Sequence, residues 1–205
     1  MIVNEIITLS NKRFKVCLEG GISFILYKKE LDRQGFKPGC TLTDEVWDEI
    51  KNEILLKRAK KRALYLLEKM NRSESNLRRK LREGFYPEDV IDQAIEYIKS
   101  FGYINDDNYA ISFIENKMHR KSRKEMYEAL RKKGIDPDTI KESLQEHYSD
   151  EIELEAINEI IRKKKINPQE ASKSDINKLF THLARKGFGY DCINRAIKEY
   201  VDLDY

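Results

Sequence analysis

Few side chains in this chain have the type and spacing that chemistry requires. His119, His147 and His182 stand alone. None has a second histidine at i+3 or i+4, the spacing that sets two metal ligands on one helix face. Each is read as a surface residue. Cys17, Cys40 and Cys192 are odd in number and far apart, with no histidine beside them in sequence. That pattern supports neither a disulfide framework, nor a zinc site, nor a catalytic thiol, and it points to a reducing cytosol. Asp106 and Asp107 form the one carboxylate pair in a loop, and their plain role is a helix N-cap and first-turn charge. No glycine cluster follows a strand and opens a helix, so no phosphate-cradling loop is expected. The sequence therefore predicts no catalytic residue, no metal and no cofactor, and a protein that is not an enzyme.

What the chain does carry is charge in blocks. The net charge is only +3. Yet residues 57–82 hold eleven Lys or Arg against two Glu, and 117–133 hold eight against two, while 150–159 hold five carboxylates and no base. The candidate binding residues are Arg78, Arg79, Lys80 and Arg82; then Arg120, Lys121, Arg123, Lys124, Arg131, Lys132 and Lys133; then Lys178, Arg185 and Lys186. Cations recurring on one face can track a phosphate backbone or an acidic groove. The same cations could instead pair with the acidic segments that follow them, Glu88 to Glu96 and Asp136 to Glu146, and merely solvate the fold. Both readings are open at this point. Tyr65, Tyr86, Tyr97, Tyr103, Tyr109, Tyr127, Tyr148 and Tyr190 are read mostly as partial core on apolar helix faces.

The elements that would position these residues are mainly helical. Apolar residues are 40% and charged residues 37%, with nine glycines and four prolines in 205 residues. That balance predicts thin cores, an ionic surface and helix rather than sheet-and-turn architecture. The first forty residues differ. Segments 2–9, 12–19 and 22–29 are rich in β-branched and aromatic residues, punctuated by Asn11 and Gly20-Gly21, and predict a small β-hairpin or three-stranded sheet that needs a helix to cover it. Pro38-Gly39 marks a turn. Thr43 is the expected N-cap of a long helix, or two nearly continuous ones, with apolar positions Val46, Trp47, Ile50, Ile54, Leu56, Ala59, Ala63, Leu66, Leu67 and Met70.

Beyond that helix the chain repeats. LRRKLREGF (77–85), ALRKKGI (129–135) and HLARKGF (182–188) are basic helices ending in Gly84, Gly134 and Gly187, each followed by a large apolar residue: Phe85, Ile135 or Phe188. Glycine just past a helix end is the expected left-handed cap. Another amphipathic helix follows each, with apolar positions Val90, Ala94 and Tyr97, then Ile140 and Leu144, then Ile193 and Ile197. Pro87 and Pro137 sit where those helices begin. Ser73 can cap one basic helix, and Ser122 with Glu125 forms a capping box for the next. The fifty-residue spacing leaves room for a third helix per unit: 55–70, 106–118 and 150–165. The expected fold is mainly α, three tandem three-helix units after a small N-terminal β element. The expected divisions are 1–43 (β element), 44–102 (connecting helix and first unit), 103–148 (second unit) and 149–205 (third unit). The N-terminus has no signal-peptide pattern, and no apolar run is long enough to span a membrane.

The order of these pieces resembles the RecX family. The match runs from the Arg-rich helix and its glycine through GYINDD (102–107) and YAISFI (109–114) to ALRKKGI with Asp136-Pro137, and covers about 58–200. The start, with FKPG at 36–39 and Thr43, is similar to the N-terminal extension of many members. The resemblance implies tandem three-helix repeats and a cytoplasmic, monomeric regulator that does no chemistry. Such a regulator would lodge along the RecA–DNA filament and reduce its recombinase, ATPase and coprotease activities, with a place in DNA recombination, repair and the SOS response. RecA is the implied partner, with single- or double-stranded DNA as a further candidate and no membrane. A DNA-binding helical module acting independently of RecA is the alternative. The chain departs from the pattern twice. The first unit is one residue shorter between Leu81 and Gly84 than the second is between Leu130 and Gly134, and a polar link, 165–175, precedes the third basic helix.

Overall fold

The computed structural model describes residues 1–164 and 171–202. The chain divides into two compact units, Met1–Asn105 and Asp106–Tyr205. Most of the polar link anticipated at 165–175, and the last residue of the helix expected over 150–165, lie outside the described residues.

The first unit opens with a three-stranded antiparallel sheet, β1 (Val3–Ser10), β2 (Arg13–Leu18) and β3 (Ser23–Tyr27), in sequence order. Ile6, Val16 and Phe24 lie in register across it, as do Phe14 and Leu26. Gly20 and Gly21 both hold positive φ (86° and 85°) in the β2–β3 turn, the backbone that a tight hairpin demands and glycine supplies without strain. Val16, Phe24 and Leu26 are fully buried, and Phe24 packs on Trp47 with ring centroids 5.4 Å apart, so the long helix does cover the sheet. The strand expected over 22–29 is shorter than predicted. It ends at Tyr27, and Lys28 starts a short helix, α1 (Lys28–Gln34), whose Glu30 carboxylate accepts the Tyr27 N–H at 2.7 Å. This local side-chain acceptor stands in for the next ladder bond and turns the chain.

Thr43 caps the next helix by accepting the Val46 N–H at 3.4 Å. Helix α2 (Asp44–Glu49) runs through a π-helical segment (Ile50–Leu56) into α3 (Lys57–Lys69). The wider turn explains a discrepancy in the apolar pattern. Buried positions step from Ile50 to Leu55, five residues, before Ala59, Ala63 and Leu66 resume ordinary helical spacing. Ile54 and Leu56, placed on the core face by a uniform 3.6 period, are only partly buried. Met70 is 57% exposed at the extended C-cap and leaves the stripe altogether. Helices α4 (Glu74–Arg82) and α5 (Glu88–Ser100) complete this unit. Ser73 caps α4 through the Asn76 N–H. On α5 the core takes Val90, Ile91, Ala94, Ile95 and Ile98, while Tyr97 faces out at 37% exposure.

The second unit holds α6 (Asp106–Lys117), α7 (Arg123–Arg131), α8 (Pro137–His147), α9 (Asp150–Lys164), α10 (Lys173–Lys186) and α11 (Tyr190–Asp202). Two apolar clusters form inside it. One gathers Ile114, Met126, Leu130, Ile140 and Tyr148, the other Ile157, Ile161, Leu179, Leu183 and Ile193. The predicted capping box is present: Ser122 Oγ accepts the Glu125 N–H and the Glu125 carboxylate accepts the Ser122 N–H. Ser172 caps α10 by accepting the Asp175 N–H, and its hydroxyl donates to the Asp175 carboxylate.

All three aligned glycines lie just past a helix end, but they are not equivalent. Gly134 (φ 80°) and Gly187 (φ 86°) are left-handed, whereas Gly84 is not; the left-handed residue of the first unit is Phe85 (φ 59°). Counting from the last buried leucine resolves this. Leu81, Leu130 and Leu183 each accept a backbone N–H from five residues on, Tyr86, Ile135 and Phe188, at 3.3–3.4 Å. The equivalents of Ile135 and Phe188 are therefore Tyr86, not Phe85, and the one-residue shortfall before Gly84 is an offset of the glycine itself. Gly84 answers a different need, since a Cβ there would come within 2.9 Å of the Tyr86 ring. By the same offset Pro87 takes the N-cap position of α5, where Asp136 caps α8, and only Pro137 is at N1.

Candidate functional site

The cations singled out in the sequence fall into two groups that differ in what holds them. In the first unit they are engaged. Arg78 bonds Glu74 (2.8 Å) on its own helix and Asp92 (2.5 Å) on α5, and Arg82 forms a bidentate pair with Glu88 at 2.6 and 2.9 Å. Arg79 and Lys80 share Glu83. These contacts hold Glu83 and Glu88 below their ordinary carboxylate value, led by their bonds to Lys80 and Arg82 respectively. The basic helix is neutralised here in part by its own Glu74 and its C-cap Glu83 and in part by Glu88 and Asp92 of the following helix. Exposed pairs of this kind contribute about 0–1 kcal/mol each, and they leave little free charge for a partner.

The second unit is arranged otherwise. Arg123 is a structural residue: its guanidinium donates to the carbonyls of Leu144 (3.0 Å) and Tyr148 at the C-terminal end of α8 and lies 5.3 Å over the Tyr148 ring. A cation at a helix C-terminus meets the negative end of the helix dipole. The buried Tyr148 hydroxyl donates to the Lys121 carbonyl at 3.0 Å, and burial pushes its pKa well up. Glu146, one of the expected carboxylate partners of this stripe, lies 3.8 Å from His147.

Two basic helices meet within this unit. Ser122 Oγ donates to the Lys186 carbonyl (2.7 Å) and Lys186 Nζ pairs with Glu125 (3.2 Å), so the end of α10 docks on the start of α7. The Lys124 stem crosses Gly187 so closely that a Cβ there would lie 2.7 Å from Lys124 Cβ. Gly187 is thus required both for its positive φ and for this approach. The docking gathers Lys124, Arg185 and Lys186, with Arg131 and Lys132 exposed seven and eight residues along α7 from Lys124, about 10 Å at the helical rise. Lys178 faces its own Asp175 (3.2 Å), and Arg120 lies exposed beside Glu159. His182 senses the same positive surroundings. Burial, then the charges of Lys164, Lys186 and Arg185, hold its pKa below the usual imidazole value.

The remaining chemistry-bearing residues are placed as follows. His119 faces Glu155 at 3.4 Å and His147 lies 3.8 Å from Glu146, both without a second imidazole. Asp106 and Asp107 occupy the first turn of α6. Tyr65, Tyr97, Tyr103 and Tyr190 are exposed, so half of the eight tyrosines, rather than a minority, are surface. One juxtaposition was invisible in sequence: ligand atoms of Asp150, Glu153 and Cys192 lie within 4.8 Å of one another. Burial and then the Glu153 and Asp150 charges push the Cys192 thiol up, which favours the protonated form, and the Glu153 carboxylate already accepts the Gly189 N–H at 3.2 Å.

Three three-helix units in tandem define a helical-repeat protein. Comparison with known proteins narrows the class. Residues 59–97, 105–144 and 150–197 match, in that order, the first, second and third three-helix domains of RecX. The chain is 31% identical to the regulatory protein RecX of Caldanaerobacter subterraneus subsp. tengcongensis over 96% of its own length and 98% of that protein's, and 29% identical to that of Clostridium perfringens over 94% and 92%. A crystal structure of RecX from Lactobacillus salivarius superposes with a TM-score of 0.66 at 30% identity, covering 72% of this chain and 97% of that one. A second crystal structure, of regulatory protein RecX, shares the fold over 97% of this chain and 98% of its own (TM-score 0.64, 21% identity). The chain belongs to the RecX family. No helix among the described residues is long and apolar enough to cross a membrane.

Proposed function

We propose that this chain binds the RecA nucleoprotein filament and restrains its recombinase, ATPase and coprotease activities, acting in the cytoplasm as a monomer and without catalysis of its own. The observation that carries the reading is the docking of α10 on α7, which gathers Lys124, Arg185 and Lys186 beside the exposed Arg131 and Lys132. The filament repeats and is rich in phosphate and carboxylate, and a repeat protein can answer it with many weak matched contacts that add as in multivalent binding. The proposal keeps the divisions 1–43, 44–102, 103–148 and 149–205 as the pieces that make those contacts. It moves the working face toward the second and third units, since Arg78, Arg79, Lys80 and Arg82 are satisfied internally and Arg123 holds the fold.

The test adds the protein to a preformed RecA–single-stranded-DNA filament and follows ATP hydrolysis, with binding to bare DNA measured in parallel. Inhibition is expected at protein amounts well below those that coat bare DNA. Reversing Lys124, Arg131, Lys132 and Arg185 to Glu should abolish it and leave thermal melting near the parent's, because exposed substitutions usually cost within about 0.5 kcal/mol each. Inhibition only at amounts that coat bare DNA favours the independent DNA-binding module. A stable reversed variant that inhibits like the parent removes this surface from the mechanism.

A further inference from the structure

A cleft of about 450 Å³ opens in the first unit between the β2–β3 hairpin and the α3 and α4 helices. Four cations line it, Arg13, Arg58, Arg62 and Lys80, together with the rings of Tyr27 and Tyr86. They are not alike. Arg58 is pinned: its guanidinium donates to both Glu30 oxygens (2.6 and 2.7 Å) and to the Ile25 carbonyl (2.9 Å), and it lies 4.4 Å from the centre of the Tyr27 ring. Lys80 is balanced by Glu83. Arg13 and Arg62 are exposed and have no carboxylate partner among the described residues; the Arg62 guanidinium lies 5.6 Å from the centre of the Tyr65 ring.

Two forked donors are therefore left unneutralised over a compact, partly aromatic cavity. Burial pushes the Tyr86 hydroxyl up while the charges of Arg58, Arg62 and Arg13, which line the same cleft, pull it the other way. Gly84 supplies the room, because the Tyr86 ring lies where a Cβ would be.

We propose that this cleft is a nucleotide pocket: Arg13 and Arg62 take a phosphate, the Tyr27 face not covered by Arg58 and the Tyr86 ring contact the attached base, and the nucleotide is presented by a single strand. Guanidinium forks match phosphate oxygens in geometry as well as charge. Base–aromatic stacking is the sequence-tolerant contact of single-strand binding proteins. The volume is that of a small-ligand site, and a duplex, whose bases are stacked inward, cannot offer a free base face to it. An acidic peptide could satisfy the two arginines but would fill the tyrosine side of the cleft only with an aromatic residue beside its carboxylates, whereas every nucleotide carries a base next to its phosphate. The inference stands or falls separately from the filament reading, since none of the cations reversed above lines the cleft.

The experiment uses the full chain and a fluorescein-labelled oligothymidylate followed by anisotropy. Arg13→Ala with Arg62→Ala is compared with Lys28→Ala with Lys29→Ala, which removes the same charge from exposed positions of the same unit outside the cleft. The cleft pair should weaken binding about tenfold and flatten its salt dependence by roughly 0.7 in logarithmic slope for each phosphate no longer neutralised, while the control pair stays near the parent. Photo-crosslinking of 4-thiothymidine, mapped by mass spectrometry, should reach Tyr27 or Tyr86. Thymidine monophosphate as competitor separates the sources: weak competition supports the strand, and displacement at equal concentration assigns the same pocket to a free nucleotide and overturns the strand. Equal affinities of the two paired variants, crosslinks confined to the second unit, or loss of polyglutamate binding with oligothymidylate binding unchanged would each overturn the proposal.

Discussion

Arg123 provides the sharpest test of the division between cations that hold the fold and cations that face a partner. Sequence alone groups it with Lys124, Arg131 and Lys132. In the structure it spans from α7 to the end of α8, donating to two backbone carbonyls and stacking on Tyr148. Replacing it with Ala removes both bonds and the ring contact. A hydrogen bond to a charged group contributes about 1.5–3 kcal/mol and an exposed cation–π contact about 0.5–1 kcal/mol. The side chain is only half-buried and water can reach the freed carbonyls, so the sum is discounted to about 2–3 kcal/mol, or a fall of roughly 5–10 °C in melting temperature for a chain of this size. Arg123→Lys should recover only part of this, since a point charge cannot serve both carbonyls and lie flat on a ring. The assay is thermal and urea unfolding by circular dichroism, beside Lys132→Ala, which should melt within error of the parent. If Arg123→Ala also melts with the parent, the carbonyl bonds carry no stability and the division between the two kinds of cation is wrong.

Other outcomes follow from single positions. Gly134→Val should destabilise by about 1–2 kcal/mol, because a β-branched residue is strained at positive φ; an unchanged urea midpoint would show that the position tolerates it. Gly187→Ala should cost more than Gly35→Ala in the same assay, since both cap helices at positive φ but only at Gly187 does the added Cβ also meet the Lys124 stem; equal costs would mean the stem moves aside freely. Burial raises the Glu153 pKa above the ordinary value of 4.5 against the opposing pull of the Gly189 N–H and Arg123. The folded state then holds that proton more tightly than the unfolded chain. Its stabilising contribution is full below about 4.5 and is lost as pH rises through the folded value. Glu153→Gln should therefore raise the melting temperature at neutral pH, with an advantage that shrinks as pH falls into the carboxylate range; a variant no more stable than the parent at neutral pH would contradict the burial argument.

Local chemistry made much of this protein legible before any coordinates. Turn glycines, helix caps at Thr43, Ser73 and Ser122, and the recurring basic helix with its terminal glycine depend on contacts within a few residues, so the repeat and its approximate helices could be read directly. Failures occurred where a neighbour distant in sequence decides. A uniform helical period put Ile54 and Leu56 in the core, but the π-helical segment let the chain reach Leu55 instead. Aligning glycine with glycine put Gly84 in the left-handed slot, but backbone bonding from Leu81 assigns that slot to Phe85, and Gly84 is small because Tyr86 lies against it. The basic stripe was visible as composition, yet its split into neutralised, structural and exposed cations was not. That split depends on which carboxylate, carbonyl or ring each side chain meets after packing: Asp92 for Arg78, Tyr148 for Arg123, Gly187 for Lys124. The cleft lined by Arg13, Arg58 and Arg62 belongs to the same class, because Arg13, forty-five positions before Arg58, shares it with the two helix arginines only once the hairpin has folded onto α3. Local sequence sets which elements form, since their bonds close within one turn. Packing sets which of the remaining charges stay available, since contacts such as Arg78 with Asp92 or Arg123 with Tyr148 exist only where the tertiary fold brings the two halves together.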